Sequence, residues 1–114
     1  MIVKKIEIQG ENVRNLMRLI QSNPDLEILP MVRYECVPGD EWGWWMASLG
    51  KVSIEEYWQD YERCFIRSQD EEELIDKFYD EADDSLSDSE AIDAAELKVD
   101  GLPWVKAICV YIVP

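Results

Sequence analysis

The chain has 114 residues, of which 25 are acidic, 11 are basic and none is histidine, so its formal net charge at pH 7 is −14. Such an excess of carboxylates repels bare nucleic acid and anionic membrane surfaces, because both are bound through Lys and Arg side chains. The lack of histidine excludes imidazole base catalysis, Ser-His triads and His-ligated metal sites within the chain. The charge therefore favours a basic protein as the partner.

The bulk composition predicts a folded, cytoplasmic protein that needs no cofactor. Hydrophobic residues make up 47% of the chain, more than disordered acidic proteins contain, and the length fits one domain at 1–114. The three cysteines are scattered without a CxxC pair, which favours reduced thiols. The N-terminus lacks the apolar stretch of a signal peptide, and the longest uncharged apolar run, 107–113, is too short to span a bilayer.

The first fifty residues predict a strand, a helix and a β-hairpin. β-Branched residues alternate over 2–8 and predict a strand, whereas apolar residues recur every three or four positions over 11–22 and predict a helix. Residues 26–37, entered or interrupted at Pro30, and residues 41–49 predict two strands joined by a turn. The apolar stripe of the predicted helix consists of Val13, Leu16, Met17 and Ile20.

Three tryptophans lie in the second strand of the predicted hairpin. In an extended segment Trp42 and Trp44 share one face, and Trp45 lies on the other. Large aromatic side chains most often fill a core, but Trp is also enriched at binding hot spots. Trp42 and Trp45 can both be buried only if both faces of the strand are covered. If one face is open, the Trp on that face is exposed and can contact a partner, so both are candidate partner-binding residues.

The second half of the chain predicts a helical block over about 53–98. Ser53 and Glu56 match a capping box, and a further helix is predicted from Ser68. Residues 83–89 indicate a turn or break, and 89–97 a short helix.

A strongly apolar strand is predicted at 104–113 and completes the fold. The order is therefore β-α-β-β-helical block-β. It predicts an α+β protein with a small mixed or antiparallel sheet of about four strands, and it permits a ferredoxin-like arrangement.

The negative charge is concentrated in the second half. Residues 1–52 contain six basic and seven acidic side chains, whereas 53–114 contain five and eighteen. Within the predicted helical block, acidic residues recur every three or four positions on the side opposite Leu74, Ile75 and Phe78. The candidate partner-binding carboxylates are Glu72, Glu73, Asp76, Asp80, Asp83 and Asp84.

Two interpretations of this acidic face remain open. A solvated face that keeps the protein in solution is the simpler one. The alternative is a row of carboxylates spaced to occupy a basic groove that normally holds phosphates, which would gain the same steering and counterion release as nucleic acid. The concentration of charge in one half favours the second interpretation.

The sequence gives little support for metal binding or for acid catalysis. Neither Asp80 nor Asp83 begins a loop with the ligand spacing of a calcium-binding EF-hand, so no metal site is predicted. Glu35, between Tyr34 and Cys36, is the one carboxylate in an apolar setting that suits a catalytic acid, although an outward-facing strand residue is the more ordinary interpretation. The expectation is a protein without enzymatic activity.

In size, acidity and charge segregation the chain is similar to small DNA-mimic inhibitors encoded by phages and mobile elements, including anti-CRISPR and anti-restriction inhibitors. The resemblance implies a cytoplasmic inhibitor that docks on the nucleic-acid-binding groove of a nuclease, with Trp42 or Trp45 adding specificity. Two alternatives remain: an immunity protein or antitoxin that neutralises a basic toxin, and a small binding module with a Trp-lined cleft.

Overall fold

The computed structural model describes residues 2–61 and 63–114, with side chains described from residue 6 onward. The described residues form three α-helices and four strands, with one short 3-10 turn between the first two strands. In chain order they are α1 (Ile2–Ser22), β1 (Glu27–Val32), the 3-10 turn (Tyr34–Cys36), β2 (Ser48–Gln59), β3 (Cys64–Ile66), α2 (Arg67–Asp80), α3 (Asp88–Asp100) and β4 (Val105–Val113).

The four strands form one mixed sheet in the order β1-β4-β2-β3. β1 runs parallel to β4, with Glu27 opposite Ala107, and β2 runs antiparallel to β3, with Trp58 opposite Phe65. The predicted α+β class with a mixed sheet of four strands is confirmed. The order of elements differs from the prediction, however, and lacks the βαββαβ succession of a ferredoxin-like fold.

The chain divides into two compact units. Unit 1 comprises Met1–Glu55 with Lys106–Pro114, and unit 2 comprises Glu56–Val105. A separate hydrophobic cluster lies within each unit. The interpretation of 1–114 as one domain stays a prediction.

The core of unit 1 lies where α1 packs on the sheet. Leu16 and Leu19 of α1 contact a buried cluster built around Val52, Ile108 and Val110. β4 has β1 on one side and β2 on the other, and its residues are buried in an unbroken run from Ala107 to Val110. This continuous apolar pattern is the one expected for a strand covered on both faces.

The predicted strand at 2–8 is wrong, because α1 is continuous from Ile2 to Ser22. The predicted helix at 11–22 is confirmed as its second part. Its apolar stripe is rotated from the predicted one: Leu16 and Leu19 pack on the core, whereas Val13, Met17 and Ile20 are exposed. α1 ends where the amide of Asn23 donates to the carbonyl of Leu19.

The predicted hairpin at 26–49 is also wrong. Its first strand exists as β1 but pairs with β4, and residues 41–47 of the predicted second strand form no regular structure. The N–H of Arg33 donates to Ile112 of β4, so the backbone at the even-numbered Pro30 is directed away from β4. Proline suits this outer position of an edge strand, because it has no N–H to leave unpaired.

Gly50 in β2 lies close to the backbone of β4. A Cβ atom at this position would lie 2.6 Å from the carbonyl oxygen of Tyr111, which is too close for the backbone to accept without movement. We expect Gly50→Ala to lower the free energy of unfolding, measured by urea denaturation, by about 1–3 kcal/mol. Gly39→Ala is the matched control, because a Cβ there meets no atom within 4 Å. Equal stability of the two variants would contradict this account of Gly50.

The core of unit 2 joins two helices and a short strand. Phe65, Leu74 and Val99 form its buried centre. The indole of Trp58 stacks on Phe65 with 5.3 Å between ring centroids, and the Trp104 indole N–H donates to the carbonyl of Val99 at 2.8 Å. The buried residues of α3 also include two alanines, Ala91 and Ala95. Small side chains of this kind allow close packing between helices.

The helical part of the acidic segment begins at Arg67, not at residue 53. The predicted capping box at Ser53 and Glu56 is wrong, because both residues lie in β2. A capping box does exist at the start of α3, where Ser87 and Glu90 satisfy each other's backbone N–H groups. The predicted helix from Ser68, the break after it and the following short helix are confirmed as α2, residues 81–87 and α3, and the last predicted strand as β4.

Candidate functional site

Three carboxylates on α2 form a row on its outer side, which we call the α2 acidic row: Glu72, Asp76 and Asp80. All three are exposed, and the four-residue spacing places them on the side of α2 opposite the buried Leu74. A helix rises 1.5 Å per residue, so neighbours in the row are about 6 Å apart along the axis. None of the three pairs with another described residue.

The other three candidate carboxylates have different surroundings. Glu73 is exposed on α2 but its carboxylate accepts from the guanidinium of Arg63 at 3.2 and 3.3 Å. Asp83 and Asp84 lie beyond the end of α2, in the connection to α3, and therefore do not extend the row along the helix. The predicted set of six is thus one helical row of three, one paired residue and two turn residues.

The basic side chains of unit 2 are largely occupied within the unit. Arg63 pairs with Asp70 and Glu73 and lies 4.2 Å over the Phe65 ring. Arg67 forms ion pairs at the N-terminal end of α2 and lies over the ring of Trp104. Its carboxylate partners are Glu56, Glu71 and Asp100.

The charge segregation seen in the sequence follows the division into units. Unit 2 contains seventeen acidic and four basic residues, a net charge of −13, which leaves −1 for unit 1. With Arg63 and Arg67 directed to inner or flanking carboxylates, the α2 acidic row is left without a neutralising partner among the described residues.

The sequence prediction missed two carboxylates on α3. Asp93 and Glu96 are exposed, and Asp93 lies on the side opposite Ala91 and Ala95. The signal was weak because the buried side of α3 consists mostly of alanine, which marks a helix face less clearly than Leu or Ile. Both helices of unit 2 therefore carry exposed carboxylates that form no ion pair within the described part of the chain.

Hydrogen bonds order the connection between α2 and α3. The Asp83 carboxylate accepts from the Ser85 N–H at 2.9 Å, which lowers the pKa of Asp83. This contribution to stability is present above the unfolded pKa and is lost as the pH falls through the lower folded value. The Tyr79 hydroxyl donates to Asp88 at 2.9 Å, and this bond raises the pKa of Tyr79. Its contribution is present below the unfolded pKa and is lost as the pH rises through the folded value.

The α2 acidic row opposes helix formation. Glu72 with Asp76, and Asp76 with Asp80, are like-charged pairs four residues apart, each of which destabilises an isolated helix by about 0.2–0.5 kcal/mol. Lys77 lies four residues after Glu73, outside the line of the row. The packing of Leu74 against the unit 2 core offsets this cost.

The tryptophans at 42–45 line an open cleft in unit 1. The cleft has a volume of about 450 Å³, and Trp42, Trp44 and Trp45 all contribute to it. Because the segment is not a strand, the predicted placement of Trp45 on the opposite face from Trp42 and Trp44 is wrong. Trp42 is 63% exposed and Trp44 is 94% exposed, whereas Trp45 is half-buried.

Glu35, the cysteines and the acidic clusters are the remaining candidates for catalysis or metal binding. Glu35 is exposed in the 3-10 turn, so it has no apolar pocket around it. None of the three cysteines forms a disulfide, and Cys36 directs its thiol to the Ile112 carbonyl at 3.7 Å. Over residues 2–61 and 63–114, no three acidic or cysteine residues are grouped to hold a metal ion, and no helix has the length and apolarity to cross a membrane.

Comparison of the chain with protein families, with characterised proteins and with solved structures gives no match.

Proposed function

We propose that the protein is a non-catalytic acidic interaction protein whose α2 acidic row binds the basic nucleic-acid-binding groove of another protein, such as a nuclease. The observation that carries this proposal is that Glu72, Asp76 and Asp80 form no ion pair with any side chain that the structure describes. The arginines of the same unit are engaged elsewhere, so these carboxylates are free to pair with a partner's Lys and Arg side chains.

The geometry suits a groove built for phosphates. Fixed charges about 6 Å apart along a rigid helix resemble the regular succession of charges along a nucleic-acid strand. The partner would release the same anions from its groove as it does on binding nucleic acid, and the net charge of −13 on unit 2 would accelerate the encounter. An inhibitor of the anti-CRISPR or anti-restriction type would act through this contact, as would an immunity protein against a basic toxin.

The test is capture of a partner from host lysate on the immobilised protein, followed by elution with a 20-base-pair DNA at constant ionic strength. We expect a nucleic-acid-processing enzyme to be retained and then released by the DNA, because both ligands compete for one groove. Retention of that enzyme in the presence of excess DNA would contradict the proposal, as would failure to retain any nucleic-acid-binding protein. A neutral dextran of similar size serves as the control eluent.

A second candidate function is a small binding module that uses the Trp-lined cleft. The observation that favours it is the exposure of Trp42 and Trp44 at the mouth of a cleft whose volume lies in the range of small-molecule sites. In this case Trp42→Ala or Trp45→Ala would abolish ligand binding, whereas reversal of the α2 acidic row would leave it unchanged. The expectation that Trp42 or Trp45 also contacts the basic partner stays a prediction.

A further inference from the structure

The Trp-lined cleft of unit 1 combines indole rings with a single carboxylate. Trp42, Trp44 and Trp45 supply aromatic surface, and Asp40 is the one charged residue in the lining. The rest of the lining is aliphatic or glycine, apart from the thiol of Cys36, which is buried and directed to the Ile112 carbonyl.

This combination discriminates among ligand classes. An anion would be repelled by Asp40 and finds no Lys or Arg in the lining. A neutral apolar ligand would contact the indoles but would gain nothing from the negative charge of the exposed Asp40. A cation that carries methyl groups interacts favourably with both the indoles and Asp40. Indole faces attract cations more strongly than other aromatic side chains do, and the carboxylate carries the opposite charge.

We propose that the cleft binds the methylated ammonium group of a small organic cation, of which choline is the simplest probe. The inference rests on the second candidate function and names its ligand class. In the bound state the trimethylammonium group lies against the indoles, its methyl groups contact aliphatic residues such as Val32 and Val37, and Asp40 balances the charge. The strongly negative chain also raises the local concentration of cations.

The test is an NMR titration of the ¹⁵N-labelled protein, with the indole N–H resonances as reporters. We expect choline to shift the resonances of Trp42, Trp44 and Trp45 in a saturable way. Trp58 and Trp104 serve as internal controls, because they pack in the core of unit 2 and should not shift. The neutral isostere 3,3-dimethyl-1-butanol, which has carbon in place of the ammonium nitrogen, should bind about 10-fold more weakly than choline.

The role of the carboxylate is tested with Asp40→Asn, which keeps the shape of the side chain and removes its charge. We expect this variant to bind choline several-fold more weakly while binding the neutral alcohol as the parent does. Asp25→Asn is the matched control, since Asp25 is exposed and is not part of the lining, and it should leave both affinities unchanged.

The outcomes distinguish failure of the cation proposal from failure of the binding-module function. Equal affinity for choline and the neutral alcohol would overturn the cation proposal and leave the cleft as an apolar binding site. Shifts with methyl β-glucoside but not with choline would also overturn it, in favour of a carbohydrate site. No shift at the three cleft tryptophans with any of these probes would overturn both the cation proposal and the binding-module function.

Discussion

Leu74→Ala is expected to lower the free energy of unfolding by about 2–5 kcal/mol, the largest stability effect of a single substitution considered for this protein. Leu74 is 1% exposed and belongs to the buried centre of the unit 2 cluster with Phe65 and Val99. Truncation removes apolar contacts on both sides and leaves a cavity that helix and strand cannot close without moving. Urea denaturation followed by circular dichroism measures the loss.

The matched control for this substitution is Leu97→Ala on α3. Leu97 belongs to the same unit but is 72% exposed, and leucine and alanine have similar helix propensities. We expect its effect to remain within about 0.5 kcal/mol. If both variants lost the same stability, or if neither did, Leu74 would not be the packing centre that holds α2 in place.

The triple variant Glu72→Lys, Asp76→Lys, Asp80→Lys is expected to weaken binding of the captured partner by on the order of 100-fold or more. Each change replaces an attraction to the basic groove with a repulsion. The variant retains two like-charged pairs at four-residue spacing, so the stability of α2 should stay close to that of the parent. Isothermal titration calorimetry and urea denaturation measure the two quantities separately.

A second triple variant controls for the change in net charge. Glu7→Lys, Asp25→Lys, Glu35→Lys alters the charge by the same amount, but at exposed positions of unit 1. If binding depends on the α2 acidic row, this control should bind nearly as well as the parent. If binding depends only on overall charge, the two triple variants should lose affinity equally.

The elements from α2 onward were predictable because the apolar pattern of each fits one kind of structure. α2 places Leu74, Ile75 and Phe78 at helical spacing, and this spacing has no alternative interpretation as a strand. The continuous apolar run of β4 likewise indicated a buried strand. In both cases the local pattern and the burial agree.

The segment 2–8 was mispredicted because its short pattern is compatible with two structures. The alternation at 2–8 fits a strand, but Ile6 also stands seven residues before Val13, which fits a helix that continues to Ser22. Extending an existing helix adds one hydrogen bond per residue without a new nucleus, and this outweighs the small helix penalty of β-branched residues. A prediction made from residues 2–8 alone cannot detect that the helix continues to Ser22.

The β2 strand was mispredicted because one of its two partners, β4, is remote in sequence. Val52 and Ile54 alternate as a strand requires, but Ile54 and Trp58 also stand at helical spacing. The neighbouring strand β4 decides between the two, and it lies about fifty residues further along the chain. The pairing of β1 with β4 spans a still longer separation, with Glu27 opposite Ala107, so no local pattern reveals it.

The candidate sites were predictable in composition but not in detail. Periodicity located the exposed carboxylates of α2, yet it did not show that Arg63 engages Glu73 or that Asp83 caps a turn. The Trp-lined cleft was predicted as an alternative, but on a strand whose two faces would have separated Trp45 from Trp42 and Trp44. Its three indoles lie together because residues 41–47 leave the alternating geometry of a strand.

The most direct test of the proposed function is the salt dependence of partner binding by the parent and by the Glu72, Asp76, Asp80 triple variant. We predict that the logarithm of the parent's dissociation constant rises steeply with the logarithm of salt concentration, and that the slope is clearly smaller in the triple variant. The unit 1 triple variant should keep the parent's slope. Identical slopes for the parent and the α2 variant would show that these carboxylates form no ion pairs with the partner and would contradict the proposal.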